Sequence, residues 1–174
     1  DGYLDVIAGN HEALGKGYYF NGVDWSTREL SQGVTGPVHT VVTADWDNDG
    51  DLDGLLGMDG KNHVLLKNNG GSSLVGTGSL LNNSATRGMA IGDIDGDGDL
   101  DLITANFRSE NFIYENKGSF TFASPVALES SDDPTMDLAI ADLDADGDLD
   151  VLTAENGSVN KVFENDGAGV FSAA

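Results

Sequence analysis

Residues 93–106 read DIDGDGDLDLITAN, an acidic loop that runs without a break into an apolar, strand-like segment. Aspartates occupy the first, third, fifth, seventh and ninth places of the loop (Asp93, Asp95, Asp97, Asp99 and Asp101), and Gly98 holds the sixth. Alternate carboxylates on a tightly curled chain can converge on one point, and the glycine permits the sharp turn that brings them there. The seventh residue can add its backbone carbonyl, and the ninth can close the shell with both carboxylate oxygens. Such a set suits Ca²⁺, a hard cation that takes six to eight oxygens at roughly 2.3–2.6 Å. Mg²⁺ fits less well, because it keeps several of its waters and does not readily accept five protein oxygens.

The same stretch recurs along the chain. Residues 45–57 read DWDNDGDLDGLLG, with Asp45, Asp47, Asp49, Asp51 and Asp53 in the five acidic places. Residues 142–156 read DLDADGDLDVLTAEN, with Asp142, Asp144, Asp146, Asp148 and Asp150. A shortened version, DGYLDVIAGN, opens the chain and keeps only Asp1, Gly2 and Asp5, too few oxygens for a tight site. The Asp before the loop glycine falls at Asp1, Asp49, Asp97 and Asp146, in steps of 48, 48 and 49. A second landmark, YYFNG, LLKNNG, IYENKG or VFENDG, places Asn21, Asn68, Asn116 and Asn165 at steps of 47, 48 and 49. Two landmarks on one beat define a repeat of about 48 residues, a period that points to solenoids, propellers or arrays.

Within a repeat the apolar periodicity is two, the period of a strand. One run precedes each loop (41–44, 89–92 and 138–141) and another follows it (52–56, 100–104 and 149–153). A third lies at 64–67, 112–115 and 161–164, and a less regular fourth at 120–123 with 126–128. Clusters of Gly, Asn and Asp separate the runs, and no window of a dozen residues reads as an amphipathic helix. Four short strands per repeat make a β-propeller blade. The expectation is an all-β chain of about 3.6 blades, with repeats near 1–38, 39–86, 87–134 and 135–174. It reads as a fragment or half of a roughly seven-bladed ring, which two associating copies could close.

Other calcium loops are excluded by context. An EF-hand needs Glu at its twelfth place and a helix on each side, but the twelfth residues here are Leu56, Thr104 and Thr153, inside apolar runs. Glycine-rich nonapeptide β-helix repeats do not occur. The loop pattern, its apolar strand and the turn seen in FENDGAGVF and YENKGSFTF resemble the FG-GAP or VCBS repeat of integrin-α-like propellers. The resemblance runs over essentially the whole chain. It implies seven blades in the complete ring and calcium in the loop between the first two strands of a blade.

Charge and composition agree with this picture. The net charge of −22 excludes a general affinity for nucleic acid or anionic membrane. Of 30 acidic residues, 17 lie in the four loops, and all of those are Asp; like charges so crowded repel unless a cation neutralises them. With 24 Gly, 3 Pro and no Cys, the chain is rich in tight turns and has no disulfide framework. No targeting peptide or membrane-spanning stretch is present. Calcium sites of this kind fill at millimolar extracellular calcium, so a secreted or cell-surface location is expected.

The second connection of each repeat lies on the face opposite the calcium loops, at 10–15, 58–63, 106–111 and 155–160. These segments vary while the framework repeats, as recognition loops on a rigid scaffold do. His11, Glu12, Lys61, His63, Arg108 and Glu155 are the candidate ligand-binding side chains. As metal ligands the three histidines (His11, His39 and His63) are poor candidates, and they read as surface or turn residues. Trp46, inside a loop, reads as a blade-packing residue, while Trp25 packs or is exposed. With most Asp committed to metal and no nucleophile constellation, a non-enzymatic adhesion module binding protein or carbohydrate is expected. The alternatives are a polysaccharide-degrading enzyme and a purely architectural segment.

Overall fold

The computed structural model describes residues 5–10, 15–30, 36–70, 74–80 and 83–174. Every regular element among them is a β-strand, fifteen in all. The first sheet holds β1 (Val6–Ala8), β2 (Lys16–Phe20) and β3 (Trp25–Glu29). The second holds β4 (Val38–Ala44), β5 (Asp53–Met58), β6 (His63–Lys67) and β7 (Val75–Leu80). The third is built of β8 (Thr86–Gly92), β9 (Asp101–Asn106), β10 (Phe112–Tyr114) and β11 (Val126–Ala127). The fourth comprises β12 (Thr135–Ala141), β13 (Asp150–Glu155), β14 (Lys161–Asn165) and β15 (Phe171–Ala173). Strands follow one another in sequence order and pair antiparallel, so each sheet is one meandering propeller blade.

Apolar layers join the blades. Alternate residues of a strand point to opposite faces, so the second strand of a blade feeds two cores at once. Leu56 joins Leu30, Val38, Met58, Val64 and Leu66 between the first and second sheets. Its neighbour Leu55 turns the other way, to Trp46, Leu65, Met89, Leu102 and Tyr114 between the second and third. Ile103 and Ile113 then meet Leu138, Val151 and Phe163 between the third and fourth. This two-sided burial explains why β5 and β9 are covered along their whole length.

The first strands β4, β8 and β12 pack side by side. Each carries a β-bulge just after its first residue, between Val38 and Thr40, Thr86 and Gly88, and Thr135 and Asp137. Close approach there needs glycine: a Cβ on Gly88 would lie 2.9 Å from the Asp137 Cα, which cannot swing aside.

Of residues 120–123, expected to be part of a fourth strand, Phe120 lies in a turn, while 121–123 run back along 115–117, where Lys117 N–H donates to Thr121 and Ala123 N–H to Glu115. Ser119 and Phe120 adopt left-handed φ of 54° and 63°, only the single bridge Asn116–Phe122 forms, and the strand is β11. The turn folds Phe120 and Phe122 back toward Trp46, whose ring meets Phe122 edge-on at 5.4 Å.

Candidate metal centres in the acidic loops

The three complete acidic loops join the first strand of a blade to the second, all at one end of the sheets. The sixth residues, Gly50, Gly98 and Gly147, have φ of 92°, 91° and 103°, and nothing would crowd a Cβ on any of them. Glycine is there for backbone conformation, not for space. The fourth residues, Asn48, Gly96 and Ala145, are also left-handed, at 58°, 75° and 66°. With two such turns, backbone N–H groups point inward. Asp45 accepts from the N–H of Asp49 and Gly50, Asp93 from Gly96 and Gly98, and Asp142 from Gly147.

Carboxylate oxygens converge in each loop to within 4.8 Å of one another. The sets are Asp45, Asp47 and Asp53; Asp93, Asp95 and Asp101; Asp95, Asp97 and Glu115; and Asp142, Asp144 and Asp146. Asp47 Oδ1 is buried without a hydrogen-bond partner. An all-oxygen donor set with an orphaned carboxylate oxygen fits a hard cation, and these clusters could hold a metal ion.

The ninth-place aspartates have a second duty. Asp53, Asp101 and Asp150 accept from the N–H of the second loop residue (Trp46, Ile94 and Leu143). They also accept from the N–H of the recurrent asparagine (Asn68, Asn116 and Asn165), tying each loop to the third strand of its own blade. Burial pushes Asp53 up from the usual carboxylate range, and it pushes Asp101 up to about 6, with Asp95 and Asp97 adding repulsion. In Asp150 the N–H groups of Asn165 and Leu143 prevail and hold the carboxyl low. A divalent ion in the loop would reverse the upward push.

The seventh-place side chains face elsewhere. Asp51, Asp99 and Asp148 lie against Gly70, Gly118 and Gly167 of the following turns, and none belongs to a converging set. That leaves these residues the backbone-carbonyl role the sequence suggested. Asp5 is exposed in the first blade, and Asp1 lies outside the described residues, as do His11 and Glu12.

The opposite end differs from expectation at two positions. His63 was expected at a surface turn, but it opens β6 and is fully buried. Its Nδ1 accepts the Met58 N–H, and its Nε2 faces Thr86 Oγ1 at 3.4 Å. The next blade repeats this arrangement: Asn111 accepts the Asn106 N–H and donates to Thr135 Oγ1. Thr86 in turn donates to Asn106, and Thr135 to Glu155. His63 and Glu155 therefore belong to a polar network that joins blades, since His63 and Asn111 of one blade meet Thr86 and Thr135 on the first strand of the next. Lys61 and Arg108 are exposed as expected. Arg108 lies over the Phe107 ring at 5.1 Å and Arg87 over the same ring at 5.5 Å.

Sequence reasoning also left the recurrent asparagine without a task. Asn116 Nδ2 donates to the Trp46 carbonyl, and Asn165 Nδ2 to that of Ile94. Each asparagine thus latches onto the second residue of the preceding blade's acidic loop. Its fixed step from that loop was the available signal.

Such loops, set between the first and second strands of successive blades, match the pattern named FG-GAP-like repeat over residues 45–104 and again over 93–153. The chain belongs to the FG-GAP-like repeat family. The two FG-GAP-like matches overlap and together span all three complete acidic loops and the strands from β5 into β13. A comparison with curated proteins gives no match.

Proposed function

We propose that this FG-GAP-like chain is a calcium-stabilised, non-enzymatic binding module of an extracellular protein. The observation that carries the reading is the set of converging carboxylates in three loops, one of them with a buried, partnerless oxygen at Asp47. Asp45, Asp47, Asp49 and Asp53 and their counterparts in the third and fourth blades would supply oxygens, with the carbonyls of Asp51, Asp99 and Asp148. The ion supplies charge neutralisation and a fixed loop geometry. Since the loops also anchor the asparagine latches, holding them holds the stack of blades.

Ligand recognition belongs to the opposite end. Phe107, flanked by Arg87 and Arg108, offers an aromatic face and guanidinium donors on a molecule of net charge −22. That combination suits an acidic protein segment or a carbohydrate.

Calcium at ten times its dissociation constant stabilises by about 1.4 kcal/mol per site, so three sites contribute about 4 kcal/mol. For a chain of this size that raises the melting temperature by roughly 10 °C. A thermal melt in millimolar calcium and in chelator checks this, and equal midpoints would remove the reading. A glycan array followed by product analysis tests the rest: retention without turnover is expected, whereas release of cleaved sugars would make the protein an enzyme.

A further inference from the structure

The residue just before the latch asparagine differs in charge from blade to blade: Lys67, Glu115 and Glu164. We propose that Lys67 is a built-in counter-cation of the second loop, so that the three loops fill with Ca²⁺ in order and the second fills last. The proposal rests on the calcium reading above and ranks the sites within it.

Lys67 Nζ contacts Asp47 Oδ2 and lies 3.3 Å from Asp49 Oδ2. The converging set of the second loop, Asp45, Asp47 and Asp53, occupies the same places as Asp93, Asp95 and Asp101 in the third, so the ammonium sits on a carboxylate of the set itself. The fifth-place Asp146 converges with Asp142 and Asp144 in the fourth loop, and Asp97 converges with Asp95 and Glu115 in the third. In the third blade the same position has the opposite sign: Glu115 brings a carboxylate beside Asp95 and Asp97. Glu115 also pairs with Lys117, but that lysine is half exposed, and surface pairs of this kind are easily given up. Glu164 is exposed and takes no part in the fourth-loop set. An ion entering the second loop must displace the ammonium or sit beside it. Two positive charges facing one at about 5 Å, even at the dielectric constant of water, weaken binding about tenfold.

Trp46 is the second residue of this loop and fully buried, so its fluorescence reports the loop directly. With Trp25→Phe as background, titration with CaCl₂ is followed by Trp46 emission and by calorimetry. Calorimetry should resolve tight uptake followed by one ion bound about tenfold more weakly, with the Trp46 change tracking the weak phase. Lys67→Met should move the Trp46 midpoint about tenfold lower and merge the phases, and Lys67→Arg should leave both in place. Glu115→Lys offers an independent arm in which the tight phase loses one ion. The ranking is overturned if Trp46 responds with the first ions, or if Lys67→Met leaves the weak phase unchanged. Wild-type protein that takes up no calcium at all would bring down the calcium reading as well, which separates the two failures.

Discussion

At the scale of single residues, His63 converts burial into a pH dependence. Desolvation lowers its pKa from 6.5 to about 4, because the charged ring would lose its water among apolar neighbours. In the unfolded chain the imidazole takes a proton as the pH falls through 6.5, whereas the folded protein resists protonation until about pH 4. The unfolded state therefore binds more protons across that window, and folding stability falls with falling pH by about 3 kcal/mol from this residue. His63→Gln should flatten the slope of unfolding free energy between pH 7 and pH 4 relative to wild type, as read by denaturant titration. An unchanged slope would mean the ring is already protonated in the fold. Its partner Thr86, like Thr135 in the next blade, was legible only as a strand residue, because the bond to it crosses from one repeat to another.

Among elements, the loop and the third strand act as a pair. Asn165 holds Ile94 and Leu149 by their carbonyls through Nδ2, and its Oδ1 accepts from Gly167 and Gly169. Truncation leaves the buried Ile94 carbonyl unsatisfied, so Asn165→Ala should cost about 2–3 kcal/mol. Asn68 occupies the same place in the second blade, but it is less covered, and among the described residues its Nδ2 reaches Leu52, within its own blade. Asn68→Ala should cost clearly less, about 1 kcal/mol. Chemical denaturation of the two variants decides whether the latch works between blades. Equal losses would point to a role confined to the local turn.

In the whole molecule, the fourth blade presents a face that the other blades cover. Leu143 stands where the second and third loops have Trp46 and Ile94, yet it is 51% exposed, against 0% and 3%. Leu152 is the counterpart of Leu55 and Ile103, both buried, and is 41% exposed. These positions are buried wherever another sheet follows, so the face has the shape and chemistry for a further blade. Light scattering in calcium decides whether a second copy of the chain supplies it: the mass would then be twice 18.1 kDa, and Leu152→Asp would return it to the single-chain value. A monomer at every concentration would mean that no second copy covers the face.

The sequence alone determined the repeat, the strand order and the acidic loops, because each follows from spacing within one repeat. Alternation selects strands, glycine permits the left-handed turns, and Asp on alternate residues crowds carboxylates into one loop. The tertiary structure decided what depends on the neighbouring blade. Asn116 meets Trp46 across 70 residues and Asn165 meets Ile94 across 71. His63 moved from an expected surface turn to a buried network, and Phe120 from a strand to the turn over Trp46. The opposite charges of Lys67 and Glu115 were plain in the chain, but their reach into the acidic loops was not. The spacing along the backbone fixes where a side chain begins, and only the packing of one sheet on the next fixes what it touches.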